Sequence, residues 1–147
     1  MSLKVIICGD RSCTDYSLVE EAVKESGFKI KEVVSGECKG GDKLGEEWAN
    51  NNGIRIKPFP ADWNDLTSKD AVVKERMNPW KKKKEKYNSN AGFSRNSQMV
   101  DYAEAVIALQ PNGETGGTSD CIAKARKKGI PVFIWPSEEK KEYDYVF

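Results

Sequence analysis

Histidine is absent from the 147 residues of the chain, and cysteine is scarce. Without histidine, the protein has no Ser-His-Asp or Cys-His catalysis, no histidine metal ligand and no imidazole acid–base group. The four cysteines, Cys8, Cys13, Cys38 and Cys121, form no C-x-x-C pair, so we expect buried thiols and no metal site. Any proton transfer is left to Asp, Glu, Lys, Tyr or Cys side chains.

Long apolar runs and an excess of one charge are also missing. The longest early apolar run, residues 5–8, is far too short for a signal peptide or a membrane span, which predicts a cytoplasmic protein with no membrane partner. The net charge is +1, so no overall field attracts nucleic acid. The chain length suits one hydrophobic core, and we expect a single domain over residues 1–147.

Short apolar runs alternate with helical patterns along the chain. Helices are predicted after Thr14 or Asp15, after Asp42, and over residues 94–103 and 116–129. Strands are predicted over residues 3–9, 30–36, 54–60, 105–109 and 130–135. This alternation predicts an α/β, Rossmann-like three-layer fold with a mostly parallel five-stranded sheet. Two prolines place the strand over residues 54–60 at an edge.

The alternation of strands and helices stops at residues 64–90. This lysine-rich segment is predicted to be an irregular insertion. Within it, we expect residues 68–77 to form a short helix. The lysine run over residues 81–84 follows, and such a run is more often a solvated face or loop than a phosphate contact.

The segment VVSGECKGGDKLGEEWA, residues 33–49, looks like a phosphate-binding loop but departs from the two best-known patterns. Gly36 and Gly41 have the Walker spacing, yet Asp42 occupies the position of the Walker lysine. A dinucleotide-binding fingerprint is also missing, because Gly9 stands alone after the first strand.

Glycines in this loop still favour a bound anion. Gly36, Gly40 and Gly41 let backbone amides approach a ligand and lead into a helix N-terminus, and residues 113–118 repeat the arrangement. Both loops follow strands at the carboxyl edge of the predicted sheet, where such sheets bind ligands. We therefore expect a phosphate-bearing ligand between them. Two tight turns with glycines for close packing are the alternative.

Two polar pairs lie near the same edge. Arg95, followed by Asn96, can bind phosphate or carboxylate through two parallel hydrogen bonds, or it can form a surface ion pair with Asp101 or a glutamate. Asp62 and Trp63 follow the third strand. The carboxylate can accept hydrogen bonds from ribose or base while the indole stacks, or the pair can be a helix cap and a core residue.

Five motifs occur in order along the chain: ICGDRSCTDY, VVSGECKGGDKLGEEWA, FPADW, AGFSRNSQMVDYA and GGTSDCIAKARKKGIPV. Together, over residues 4–132, they resemble the YspA/cpYpsA-related branch of the SLOG superfamily. That superfamily also contains the LOG phosphoribohydrolases and the DNA-processing protein DprA. The resemblance implies a Rossmann-like fold and a nucleotide or nucleotide-derived ligand. Homo-oligomers are common in the superfamily, so self-association is also expected, and no cofactor is predicted.

The resemblance implies ligand-binding residues in all five motifs. Matched position by position, they are Gly9, Arg11, Ser35, Gly36, Lys39, Gly40, Asp42, Asp62, Trp63, Arg95, Asn96, Gly116, Gly117, Thr118 and Asp120. The chain also departs from its relatives at a catalytic position. LOG proteins carry P-G-G-x-G-T-x-x-E, and Cys121 stands here in place of the glutamate. Asp120, one residue earlier, is rotated by about 100° around a helix and does not simply replace it.

Three functions are weighed on these grounds. Binding of a nucleotide or nucleotide derivative is the favoured function. N-glycosidic cleavage requires a carboxylate near a cationic sugar, with Asp120 and Asp62 as tentative catalytic residues and Asp42 and Glu114 as further candidates. Single-stranded DNA binding of the DprA kind is supported by the lysine run with Trp80 and Tyr87, and opposed by the low net charge. Nucleic acid is therefore the less favoured partner.

Overall fold

The computed structural model describes residues 2–111 and 116–136 and contains four helices and seven strands in that part of the chain. In chain order they are β1 (Leu3–Gly9), α1 (Tyr16–Ser26), β2 (Ile30–Ser35), α2 (Gly41–Asn51), β3 (Arg55–Pro58), β4 (Val73–Asn78), β5 (Lys83–Asn88), α3 (Ala91–Tyr102), β6 (Ala105–Leu109), α4 (Gly116–Lys128) and β7 (Val132–Trp135).

Five of the strands form one sheet in the order β3-β2-β1-β6-β7, and every neighbouring pair is parallel. The predicted five-stranded α/β fold is therefore confirmed, and β3 lies at an edge as its prolines indicated. The chain runs outward from β1 through β2 to β3 and then returns to the other side of β1 at β6. The carboxyl ends of β1 and β6 thus form the point at which the strand order reverses.

Helices cover both faces of this sheet. Alternate residues of β1 point to opposite faces, so Val5 and Ile7 pack with α1 and α2, whereas Ile6 and Cys8 pack with α3 and α4. The central strands β1 and β6 are apolar in almost every position because both of their faces are buried. The result is three layers with a core on each side of the sheet.

The insertion over residues 64–90 differs from its prediction. Residues 68–77 do not form a helix, because Val73–Asn78 is strand β4 and pairs antiparallel with β5. Val72 and Val73 are β-branched, and opposite charges face each other across the pair, as Glu75 faces Lys86. Only residues 79–82 separate the two strands, but both strands are mostly charged and exposed, so they lack the apolar alternation by which a strand is recognised.

Candidate functional site

A cavity of about 650 Å³ opens at the carboxyl ends of β1 and β6, where the strand order reverses. Its wall combines the loop after β1, the loop after β2, the first turns of α3 and the first turns of α4. This volume is typical of small-molecule sites, which are commonly 300–1,000 Å³. The location is also the usual ligand crevice of open parallel sheets.

Ten of the fifteen residues expected to bind ligand line this cavity. They are Gly9, Arg11, Lys39, Asp42, Trp63, Arg95, Asn96, Gly116, Gly117 and Thr118. Ser35, Gly36, Gly40 and Asp62 lie outside the lining, as does Asp120. Gly116 and Gly117 belong to the first turn of α4, and residues 112–115, including Glu114, lie outside the described residues.

The glycines after β2 pack against the end of β1. A Cβ on Gly41 would lie 2.3 Å from Gly9 Cα, and a Cβ on Gly40 would lie 2.0 Å from the Asp10 carbonyl oxygen. The Gly41 N–H also donates to that carbonyl at 3.2 Å. The alternative of close packing therefore describes Gly40 and Gly41, and the Gly41 amide is directed at the protein.

Arg95 is buried at the floor of the site, with 7% of its surface exposed. Its Nη1 donates to the Gly36 carbonyl oxygen, its Nε donates to Asn96 Oδ1 at 3.0 Å, and its Nη2 donates to Cys38 Sγ at 3.4 Å. These bonds fix the guanidinium between α3 and the loop after β2. Arg95 is the fifth residue of α3 because that helix begins at Ala91, three residues before the predicted start.

Asp42 does not cap α2, contrary to the sequence-based expectation. Helix α2 begins one residue earlier, at Gly41, and Gly40 occupies the capping position without a side-chain bond. The Asp42 carboxylate instead accepts from the backbone N–H of Cys38 at 3.4 Å. Burial raises the pKa of Asp42 to about 6, although the Arg95 guanidinium and the nearby backbone N–H groups oppose this rise.

Asn96 joins α3 to the start of α4. Its Nδ2 donates to the Gly117 carbonyl oxygen at 3.1 Å and to Asp120 Oδ2 at 3.1 Å, while its Oδ1 accepts from Arg95. Asp120 also accepts from Lys124 Nζ at 2.8 Å. The carboxylate of Asp120 is therefore held at the α3–α4 contact and lies beside the cavity wall.

Two further predicted residues have structural contacts. The Asp62 carboxylate is exposed and accepts from the Asn64 N–H at 3.1 Å, which closes a local turn. Ser35 is fully buried, and its hydroxyl donates to Glu46 at 2.6 Å and accepts from the Glu37 N–H at 3.0 Å. Both residues shape the loops that border the cavity.

Sequence reasoning missed several residues of the cavity wall. They are Cys8, Asp10, Ser12, Cys38, Ser89, Gly92, Phe93, Met99 and Cys121. The quoted motifs already contain five of them, Asp10, Ser12, Cys38, Gly92 and Phe93. The motifs therefore indicated the region of the site, although these residues were not assigned to it. The apolar pattern of Met99 and Cys8 indicates core, and both residues do pack in the core as well as under the cavity.

Cys121 lies in the cavity wall, and it is the residue that the resemblance to LOG proteins matches with their glutamate. A hydrogen bond with Cys121, together with burial, raises the pKa of the Cys8 thiol well above its usual value. The Cys8 thiol is therefore neutral at physiological pH and behaves as a small apolar group. This part of the wall accordingly offers sulfur where the hydrolases offer a carboxylate.

Known proteins resemble this chain in both sequence and fold. Residues 3–65 match the model of the YspA, cpYpsA-related SLOG family. Gene 61 protein of Mycobacterium phage D29 is 29% identical over 137 residues, which cover 88% of this chain and 93% of that protein. No helix in the described part of the chain is long and apolar enough to cross a membrane.

The fold also matches the structure of DNA processing protein A (DprA) from Streptococcus pneumoniae. The TM-score is 0.64 at 18% sequence identity, over 90% of this chain and 50% of that one. The chain thus spans about half the length of DprA, and the likeness is one of fold. The resemblance drawn from the five motifs is confirmed, because residues 3–65 match the model of the YspA, cpYpsA-related SLOG family and the fold matches that of DprA.

Proposed function

We propose that the cavity binds a nucleotide or a nucleotide derivative. The observation that carries this proposal is the composition of its wall. Exposed cations, a helix N-terminus and exposed aromatic rings all line the cavity. A nucleotide has the matching parts, namely an anionic phosphate and a flat, largely apolar base.

The phosphate end is assigned to Arg11, Lys39 and the first turn of α4. Arg11 and Lys39 are exposed and border the cavity, so each can move toward an anion. Gly116, Gly117 and Thr118 begin α4 and also line the cavity. The N–H groups of a first helical turn have no partner within their own helix and favour negative charge.

The base end is assigned to Trp63 and Phe93. Each has 42% of its surface exposed although both are large aromatic residues, and both line the cavity. Stacking of a base on such a ring contributes roughly 1–3 kcal/mol. A ligand that covered the two rings would also remove exposed apolar surface from water.

Arg95 and Asp42 are buried, and together they contribute little net charge to the cavity. They can instead orient a ligand through hydrogen bonds. Arg95 is already bonded to Gly36, Cys38 and Asn96, and its positive charge faces the Asp42 carboxylate. At neutral pH the two charges largely balance because the pKa of Asp42 is about 6. The remaining hydrogen-bonding capacity suits uncharged groups such as ribose hydroxyls or the polar edge of a base.

Isothermal titration with a nucleotide panel tests the proposal. The panel contains nucleoside mono-, di- and triphosphates, a cyclic nucleotide and ADP-ribose. At least one member is expected to give saturable heat with the wild-type protein. The double variant Arg11→Gln/Lys39→Gln should bind that ligand at least tenfold more weakly, because two phosphate contacts are lost.

The matched control is Lys24→Gln/Lys43→Gln, which removes the same charge from exposed positions on α1 and α2 that do not line the cavity. Its affinity should stay within twofold of the wild-type value. Absence of heat with every ligand, for a protein shown to be folded, would overturn the proposal. An equal loss in both variants would remove the assignment of the phosphate end.

A second candidate function is cleavage of an N-glycosidic bond. One observation favours it, since two acidic residues, Asp10 and Asp42, line the cavity. A carboxylate whose pKa is near 6 suits proton transfer close to neutral pH. Asp120 and Asp62, the tentative catalytic residues, both lie outside the lining.

Release of free base from nucleoside monophosphates, followed by chromatography, decides between binding and cleavage. Cleavage predicts turnover in the wild-type protein and its loss in Asp42→Asn and in Asp10→Asn. Saturable binding without release of base would reject cleavage and leave the binding proposal in place.

A further inference from the structure

The antiparallel pair of β4 and β5 projects from the body of the protein. The two strands pack mainly on each other, and side chains on both of their faces are exposed. Each strand has six residues, so the ribbon extends for about 20 Å. Isolated two-stranded hairpins are only marginally stable, so a long exposed one calls for a function or a partner.

The base of the ribbon is firmly attached. Asn88 is buried, its N–H donates to the Trp63 carbonyl oxygen at 2.7 Å, and its side chain accepts from the Val72 N–H at 3.0 Å. The Ser89 N–H donates to the Val72 carbonyl oxygen at 2.8 Å. The bond to Trp63 joins the ribbon to the loop after β3, and the bonds to Val72 close the base of this arm.

The ribbon concentrates positive charge that the whole chain does not have. Residues 73–88 contain seven basic and two acidic residues, whereas the full sequence contains 24 basic and 23 acidic ones. Acidic residues are therefore in excess outside the ribbon. The ribbon is therefore strongly cationic although the net charge of the whole chain is near zero.

Basic side chains occupy both faces of the ribbon. Lys74, Arg76 and Lys83 lie on one face, because their cross-strand partners are Tyr87, Glu85 and Asn78. Lys84 and Lys86 lie on the other face, opposite Met77 and Glu75. Charges on both faces suit a partner with anionic walls on two sides.

The tip of the ribbon presents Trp80. Asn78 Oδ1 accepts from the N–H groups of Trp80 at 2.9 Å and Lys81 at 3.1 Å, and the Lys82 N–H donates to the Asn78 carbonyl oxygen at 2.8 Å. The turn is therefore well defined, yet 93% of Trp80 is exposed. A large aromatic side chain held so far into water is typical of a contact residue.

We propose that this arm binds double-stranded DNA by entering the major groove. The groove of B-form DNA is about 12 Å wide and admits a two-stranded β-ribbon. Its two sugar-phosphate walls then face the two basic faces of the arm, and Trp80 at the tip meets the bases. Double-stranded RNA fits less well because its major groove is deep and narrow.

Single-stranded nucleic acid is also a poorer match. It is usually held along one basic groove by a series of open aromatic rings. Here Arg76 lies 4.7 Å from the centre of the Tyr87 ring and covers it, which leaves Trp80 as the open ring of the arm. The arm does not involve the cavity, so this proposal stands independently of nucleotide binding.

Fluorescence anisotropy with a labelled 20-base-pair DNA duplex tests the proposal. The ribbon variant is Lys74→Gln/Lys83→Gln/Lys84→Gln/Lys86→Gln. The control variant removes the same charge elsewhere and is Lys24→Gln/Lys29→Gln/Lys31→Gln/Lys127→Gln; all four of its lysines are exposed. Equal melting temperatures of the three proteins show that each is folded.

We expect the ribbon variant to bind the duplex at least tenfold more weakly and the control variant within about threefold of wild type. The slope of log K against log salt concentration should be about −4 for wild type and close to −1 for the ribbon variant. Trp80→Ala should weaken binding severalfold without changing the slope, because no charge is lost.

Three results would overturn the proposal. One is absence of duplex binding by the wild-type protein at low salt. Another is tighter binding of the matching single strand, of double-stranded RNA or of anionic lipid vesicles than of the duplex. The third is an equal loss of affinity in the ribbon and control variants, which would show only a general effect of charge.

Discussion

The Asp42 carboxylate and the Arg95 guanidinium both lie against the backbone of Gly36. A Cβ at Gly36 would stand 2.8 Å from Asp42 Oδ2 and 2.7 Å from Arg95 Nη1. The glycine therefore allows two buried groups of opposite charge to lie near each other. Neither charge is well solvated, so the balance between burial and attraction sets the pH response of this region.

The first prediction concerns stability and pH. Burial places the pKa of Asp42 at about 6 in the folded protein, above the ordinary value of 3.8. The favourable contribution of the neutral carboxyl is thus fully present below about pH 3.8 and is lost as pH rises through 6. Because Asp42→Asn cannot ionise, the stability of the wild type relative to this variant should fall by about 2–3 kcal/mol from pH 4 to pH 7.

Urea unfolding of both proteins at intervals from pH 4 to pH 7 measures this difference. Asp65→Asn is a suitable control, since hydrogen bonds from Ser68 and Thr67 lower the pKa of the Asp65 carboxylate, whereas burial raises that of Asp42. A difference between wild type and Asp42→Asn that stays constant across the range would show that Asp42 does not titrate there.

The second prediction concerns the contact between α2 and β1. A Cβ on Gly41 would overlap the backbone of Gly9, with Cα 2.3 Å and N 2.4 Å away. Backbone cannot move aside as a side-chain tip can, so Gly41→Ala should lower the free energy of unfolding by about 3 kcal/mol. Gly117→Ala, where no atom lies within 4 Å of the added Cβ, should leave stability unchanged or slightly higher.

Chemical denaturation measures the free energy of unfolding of the two variants. It distinguishes the loss of a tight contact at Gly41 from the general effect of replacing a helical glycine by alanine. If Gly41→Ala proved as stable as Gly117→Ala, the packing of α2 on the end of β1 would be looser than described.

The third prediction concerns Asn96. Its replacement by alanine leaves the buried Arg95 Nε–H without this partner and also removes the part-buried bond to the Gly117 carbonyl oxygen. Each buried group that loses its partner costs about 1–3 kcal/mol, so Asn96→Ala should lower the free energy of unfolding by about 2 kcal/mol or more.

The neighbouring Ser97→Ala is the matched control, because the serine hydroxyl makes one exposed bond to the Phe93 carbonyl oxygen at 3.3 Å. Its stability should change by no more than about 0.5 kcal/mol. Denaturation curves that shifted equally in the two variants would contradict the role given to Asn96.

The sequence predicts the sheet better than the contacts at its edge. Apolar runs such as residues 105–109 reveal buried strands because that pattern is local. The meeting of Gly40 with Asp10, or of Asn96 with Asp120, depends on how distant segments pack, and a single sequence does not show it. The ribbon was missed for a different reason, since its strands carry mostly charged, exposed residues and lack the apolar alternation of a strand.

The motifs located most of the cavity but did not assign roles within it. Gly40 and Asp42 belong to one glycine-rich loop, yet Gly40 packs against β1 whereas Asp42 faces the cavity. Asp120 and Cys121 are adjacent in sequence, and the turn of α4 brings Cys121 to the cavity wall. The role of each residue therefore depends on the direction of its side chain, and that direction is set by how the loops and helices pack.

The central claim is that this cavity holds a nucleotide, and chemical-shift mapping tests it most directly. A ¹⁵N-labelled protein is titrated with the nucleotide that gives the largest heat in calorimetry. Saturable shifts are expected at the amides of Arg11, Lys39, Phe93 and Gly117, with small changes in β4 and β5. No shifts with any nucleotide, or shifts confined to residues away from the cavity, would contradict the account.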